Sequence, residues 1–332
     1  MRRILRLAAA LLLLLAIGVA ALAGTAYRNY QRDLPLERQA GPVGLWLEHR
    51  WVGEPQSDAV YNALAEQLRD LGVTDVFAHV GPLDGQGAIA PQRYPNAASF
   101  VAALHARLPG VHVQAWMGQM EKRRGGPLDL ADANARAGIL RTAAIFLDLG
   151  FDGIHYDIEP LQRDDDALHA LLDATRALTR SRGRLLSLAT TEIEPFAGAN
   201  AVVNGILPDA VLWSPSDYRA AAARVDQLAV MSYNTALPWD WLYGSFIAFE
   251  TRRIAAAVDG CATIMMGVPT YEEPGWTFHP AAENMESALR GVRLALADAD
   301  PAAARPGVAI YARWTTDSAE WATYRRLWRG EP

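Results

Sequence analysis

From Val43 onward the chain alternates between two patterns of apolar and polar positions. Short, nearly continuous apolar runs recur as "VGLWLEHRW" from Val43, "VTDVFAHV" from Val73, "VHVQAWMG" from Val111 and "FDGIHYDIE" from Phe151. The series continues with "LLSLATTEI" from Leu185, "VDQLAVMSYN" from Val225, "ATIMMGVPTY" from Ala262 and "GVAIYARW" from Gly307. Such runs suit strands covered on both faces. Between them the apolar positions recur every three to four residues, most clearly over 57–71, 131–149, 165–182, 242–259 and 282–299, which predicts helices. Gly72, Gly110, Gly150, Gly183 and Gly260 each stand just before the next strand, where a left-handed C-cap lets the chain turn back. This strand–helix alternation predicts an α/β fold, a (β/α)8 TIM barrel, with its active end at the C-terminal ends of the strands. A doubly wound open sheet is the alternative, but no G-x-G-x-x-G follows the first strand.

The first 24 residues read differently. Arg2, Arg3 and Arg6 precede 18 uninterrupted apolar residues, 7–24, and Ala21-Leu22-Ala23 offers an A-x-A-like cleavage signal. The segment 1–24 is thus a signal peptide or an uncleaved membrane anchor, since 18 apolar residues suffice to span a bilayer. Either reading exports the rest: secreted, periplasmic, or anchored with the barrel outside the cytoplasm. Residues 25–41 read as a linker and 42–330 as the barrel. Cys261 is the only cysteine, so no internal disulfide forms and the core alone must hold an exported domain together. A net charge of −6 argues against a nucleic-acid partner.

The fourth run carries the chemistry. His155, Asp157 and Glu159 alternate with apolar residues, so all three point to one side of the strand, about 6–7 Å apart at each step. Unpaired buried charge is costly, so such a row is either a satisfied polar cluster or a site. Barrel geometry sets Glu159, just before Pro160, at the mouth, with Asp157 one layer below and His155 beneath it. Asp152, at the start of the strand, is placed to satisfy backbone donors. Eight of the ten tryptophans fall on strands or in the segments after them, where aromatic faces can stack on flat C–H surfaces of a ligand. Trp116, Trp239, Trp241 and Trp314 are the candidates; for Trp239 and Trp241, ligand contact and loop packing are equally open. Glu48, His49, His79 and Glu192 also lie near strand ends, yet no H-x-H or H-E-x-x-H spacing supports a metal, and no cofactor is expected. The "EKRRGG" run from Glu121 reads as a solvated loop or a contact for an anionic polymer. No G-x-S-x-G elbow is present.

Residues Asp152-Gly153-Ile154-His155-Tyr156-Asp157-Ile158-Glu159 resemble the D-G-x-D-x-D-x-E signature of glycoside hydrolase family 18, carried on the fourth barrel strand of chitinases and endo-β-N-acetylglucosaminidases. Met231-Ser232-Tyr233-Asn234 resembles that family's M-x-Y-D on strand six, and Gly267-Val268-Pro269-Thr270-Tyr271 its G-x-P-x-Y on strand seven. The resemblance implies a retaining hydrolase acting at the β-1,4 linkages of N-acetylglucosamine-containing glycans by substrate assistance. It implies Glu159 as general acid and then base, Asp157 as orienter of the 2-acetamido group, and Tyr233 as donor to the acetamide oxygen. Tyr271 and Tyr311 would line the sugar site, with Tyr311 where the family has a tryptophan and Trp314 as its substitute. His155 replaces the family's middle aspartate and is expected to donate to Asp157 and lower its pKa. Asn234 replaces an aspartate, and "AWMGQ" from Ala115 stands where S-x-G-G is usual. Those departures motivate two alternatives: a sugar-binding barrel that hydrolyses nothing, or a hydrolase of glycans lacking acetamido groups with a carboxylate as direct nucleophile.

Overall fold

Strand residues here alternate between two apolar environments, because a strand turns successive side chains to opposite faces. Leu45 and Leu47 pack with the helices, whereas Trp46 between them joins Phe77, Trp116, Ala229, Met265 and Ala309 in a separate cluster along the barrel axis. The computed structural model describes residues 17–18, 20–207, 210–300 and 304–331. Arg2, Arg3, Arg6 and most of the apolar run lie outside the described residues.

Eight parallel strands form a closed barrel: β1 (Val43–Leu47), β2 (Asp75–Pro82), β3 (His112–Met120), β4 (Gly153–Glu159), β5 (Leu185–Thr190), β6 (Gln227–Val230), β7 (Thr263–Pro269) and β8 (Gly307–Tyr311). β8 returns to pair with β1. The helices used below are α1 (Asp58–Leu71), α2 (Ala97–Arg107), α3 (Ala133–Asp148), α4 (Asp166–Ser181), α5 (Pro215–Ala222), α6 (Asp240–Val258), α7 (Met285–Ala297) and α8 (Ser318–Tyr324). The expected barrel is therefore the fold found. Helix ends follow local chemistry: the Ser57 hydroxyl caps α1 by accepting from the Val60 N–H, and Gly72, at φ 68°, ends it. Gly110 departs from expectation. α2 ends at Arg107 with Leu108 as its C-cap, and Gly110 is not in the left-handed region.

The end of the barrel away from the mouth is polar, and its buried carboxylate is well supplied with donors. Asp75 of β2 accepts from Gln114 of β3 (3.1 Å), from Gln227 of β6 across the interior (2.8 Å), and from the Thr74 hydroxyl (2.7 Å). Burial alone would raise the Asp75 carboxyl, but hydrogen bonds from His112, Gln227 and Thr74 outweigh it and hold the pKa below 3.8. Asp152 is a second clamp at this end. It accepts from the Val113 N–H (2.9 Å), His105 Nε2 (2.6 Å) and Arg184 Nη1 (2.6 Å), far from the mouth, as a strand-start residue that satisfies backbone donors should.

Residues 25–41, expected as a linker, pack on the barrel. They run along α6 and α7, where Arg290 donates to the carbonyls of Tyr30 (2.6 Å) and Arg32 (2.9 Å). Among the described residues no helix is long and apolar enough to cross a membrane.

Candidate active site

The register of β3 against β4 builds the site. Trp116 pairs with His155, Gly118 with Asp157 and Met120 with Glu159. Because Gly118 has no side chain, the Trp116 indole reaches past it, and its Nε1 donates to Asp157 Oδ2 at 2.8 Å. Asp157 Oδ1 receives no N–H or O–H from any neighbour. The group within reach is the Glu159 carboxyl, so a hydrogen bond between the two requires a proton on one of them. Burial, reinforced by the Glu159 charge, pushes Asp157 up to about 7. Glu159 is also raised, chiefly by burial, against the opposing charge of Arg124 and the hydrogen bond with Asp157. Burial thus favours the protonated form of both carboxyls.

His155 plays a different part from the one expected. Its ring is fully buried and stacks on Phe77, with centroids 4.0 Å apart at 20°. Nδ1 bonds the Ser187 hydroxyl of β5 at 2.8 Å, and Nε2 has no partner. It does not donate to Asp157, and the Asp157 pKa goes up, not down. Burial lowers His155 itself to about 3, so it is neutral and does not titrate in the working range. A neutral imidazole adds no like charge beneath the pair, so the rise in Asp157 comes from burial and Glu159.

Two cavities meet at Glu159. The larger, of about 670 Å³, is lined by Asp157, Glu159, Tyr233, Asn234, Tyr311 and Trp314, with Trp46 and Tyr271 also on its wall. The smaller, of about 460 Å³, is lined by Glu159, Arg124, Glu192, Met231, Tyr233 and Asn234. Tyr233 and Tyr311 stand nearly parallel, 5.7 Å apart at 24°, and Trp314 at the rim is 45% exposed. Asn234 adopts φ 66°, a left-handed conformation that asparagine tolerates, and its Oδ1 accepts from the Tyr271 hydroxyl at 3.2 Å. Trp116 faces the carboxylate pair as a hydrogen-bond donor and is absent from both cavity walls. Trp239 and Trp241 line neither cavity. They stack on one another (6.1 Å, 8°), and Trp241 meets Tyr27 edge-on, so loop packing is the reading the structure favours.

Glu283 was not legible in the sequence. It is 1% exposed and precedes α7, yet its Oε2 accepts from the Thr235 N–H (3.1 Å) and its Oε1 from the His279 N–H (3.3 Å). It thereby ties the turn carrying Tyr233 and Asn234 to the loop after β7. Burial raises it to about 7. Glu48 pairs with Arg50 (2.8 Å) and Arg313 (3.2 Å), and among the described residues no group of three or more His, Cys, Asp or Glu side chains is arranged to hold a metal ion.

No protein-family model matches the sequence, and no curated protein matches it. Solved structures do. A Group IV chitinase of Ostrinia furnacalis matches with a TM-score of 0.59 at 15% identity, over 87% of this chain and 100% of that one, and a further structure of that enzyme holds allosamidin. A chitinase from Chromobacterium violaceum ATCC 12472 matches at TM-score 0.56 and 16% identity, over 86% and 98%. The spore cortex-lytic enzyme SleL of Bacillus megaterium QM B1551 matches at 0.57 and 12%, over 89% and 75%. At such identities the likeness is one of fold: this chain has the barrel that chitinases and SleL share.

Proposed function

We propose that the protein is a retaining glycoside hydrolase acting at N-acetylglucosamine units by substrate assistance. The observation that carries this reading is the buried Asp157–Glu159 pair, both carboxyls raised in pKa and opening into an aromatic-walled cavity. Glu159 passes its proton to the glycosidic oxygen as the bond from that oxygen to the anomeric carbon breaks. The carbonyl oxygen of the sugar's own 2-acetamido group forms the new bond to that carbon, giving an oxazolinium ion. Asp157 Oδ1, without a donor from the protein, accepts from the acetamide N–H while Trp116 fixes the other oxygen. The Tyr233 hydroxyl donates to the acetamide oxygen. Glu159, now a carboxylate, takes a proton from water, whose oxygen attacks the anomeric carbon as the bond from that carbon to the acetamide oxygen breaks, regenerating the acetamide and restoring the original configuration.

The test is release of a fluorogenic leaving group from an N-acetylglucosamine oligomer by the wild type and by Glu159→Gln. Hydrolysis lost by 10²–10⁴-fold with allosamidin binding kept supports the acid role, in line with what a positioned general acid contributes. A folded wild type that binds allosamidin yet cleaves no acetylated glycan identifies a sugar-binding barrel instead. Equal cleavage of substrates lacking the acetamido group would point to a carboxylate nucleophile.

A further inference from the structure

The segment before the barrel has a directional path. A helix runs over residues 20–30, and its end packs on the first two turns of α6 and the first turn of α7. The Ser245 hydroxyl donates to the Ala26 carbonyl at 3.2 Å, and Tyr27 meets Trp241 with centroids 5.8 Å apart. The Tyr30 ring fills the space over Gly244, where a Cβ would stand 2.3 Å from it. From there the chain descends past Arg290 and past Arg293, which donates to the Pro35 carbonyl at 2.5 Å. The Gln39 N–H then donates to the Trp328 carbonyl at 2.9 Å, and β1 begins at the far end. In a (β/α)8 barrel each helix starts where its strand ends, so the first turns of α6 and α7 lie at the mouth. The described helix over residues 20–30 therefore joins the barrel at the catalytic end, although β1 starts at the opposite one.

The side chains at that exit fit an interface. Tyr27 lies three residues past Gly24, about 5 Å along a helix. It is 49% exposed and Trp239 is 57% exposed. Trp276, 77% exposed, sits on the adjacent loop, which the Ala236 N–H joins through the Thr277 carbonyl at 2.8 Å. Exposed Trp and Tyr immediately beyond an apolar run of spanning length are what the headgroup layer of a bilayer takes up.

We infer that residues 7–24 stay on the protein as an anchor, and that the strap over α6 and α7 holds the barrel with its catalytic mouth toward the bilayer, with Tyr27, Trp239 and Trp276 at headgroup level. The occupant of this aromatic surface is the lipid interface itself. Substrate then arrives along the membrane surface, as glycan attached to it or lying against it; that last step rests on the hydrolase reading, whereas the orientation does not.

Energy transfer to labelled lipid tests the orientation. The full chain is reconstituted in phosphatidylethanolamine/phosphatidylglycerol vesicles carrying a rhodamine headgroup acceptor in both leaflets, so either insertion reads alike. One donor is placed on Cys261, the only cysteine, exposed and just after the far end of α6. The other is placed through Trp239→Cys in a Cys261→Ser background, with Trp276→Cys as a second reporter at the mouth. The 19 residues of α6 span about 28 Å, so the mouth labels should lie about 25 Å closer to the bilayer and transfer far more strongly. Equal transfer, or stronger transfer from Cys261, overturns the proposal. So does a mature protein whose mass in its native membrane lacks residues 1–23. Arg290→Ala with Arg293→Ala should narrow the gap between labels while hydrolysis of a soluble oligomer continues. An undiminished gap removes the strap as the orienting element.

Discussion

Replacing Asp157 with asparagine separates the cost of the site from its use. The carboxyl moves from an ordinary 3.8 to about 7 on folding, mainly through burial and then through the Glu159 charge. A carboxyl whose folded pKa is raised binds protons more tightly when folded, so stability is greatest at low pH and falls between the unfolded and folded values. The difference of about three pH units, at 1.36 kcal/mol each, gives a ceiling of about 4 kcal/mol lost above pH 7. An asparagine amide keeps the acceptor for Trp116, carries no charge and can donate to Glu159. Asp157→Asn should therefore be more stable than wild type above pH 7, by up to about 4 kcal/mol or about 8 °C in Tm for a domain of this size. The advantage should nearly vanish by pH 4, where Asp157 is protonated when folded. Thermal unfolding of both proteins at pH 4, 5.5 and 8, with hydrolysis measured alongside, checks this. A variant equally or less stable than wild type at pH 8, or a Tm gap independent of pH, would refute the claim that burial strains this carboxylate.

Trp116→Phe removes the one donor to Asp157. A hydrogen bond to a charged group contributes about 1.5–3 kcal/mol, so the pH limb of kcat/KM that belongs to the pair should move up by about 1–2 pH units; an unmoved limb would contradict the role given to the indole. Glu283→Ala should lower kcat by about tenfold to a hundredfold by loosening the turn that carries Tyr233, with Glu283→Gln recovering part of it, and equal activity in all three proteins would show that the turn holds itself. Asp152→Ala should lower stability by about 2–3 kcal/mol by stranding His105, Arg184 and the Val113 N–H, while KM stays as it was; loss of activity at unchanged Tm would place Asp152 in the wrong part of the molecule.

The strands and their inward faces were legible because a period of two and a buried apolar run are both local signals. The same period ranked Glu159 above Asp157 above His155 correctly. Partners were a different matter. That Trp116 bonds Asp157 depends on the β3–β4 register and on Gly118 opposite Asp157, and that His155 turns to Ser187 depends on the β4–β5 register. Neither can be read from one strand alone. Glu283 reaches its turn from 48 residues away in sequence, with no motif to mark it. For Trp239 and Trp241 the sequence left sugar contact and loop packing equal, because Trp241 packs against a helix in the segment read as a linker, whose polar composition hid its docking.

The Asp75 hub bears on how the chain is completed. Gln227 joins it from 152 residues away, on β6, while Thr74 stands just before β2 and Gln114 on β3. A nascent chain that has made only its first strands would have to close over that carboxylate with one of its principal donors still unsynthesised. Covering a charge so poorly matched is unfavourable, so a prematurely closed half-barrel is disfavoured against continued solvation of Asp75. The aspartate thereby acts as a check on completeness: the interior can become dry at that end only after the sixth strand has arrived.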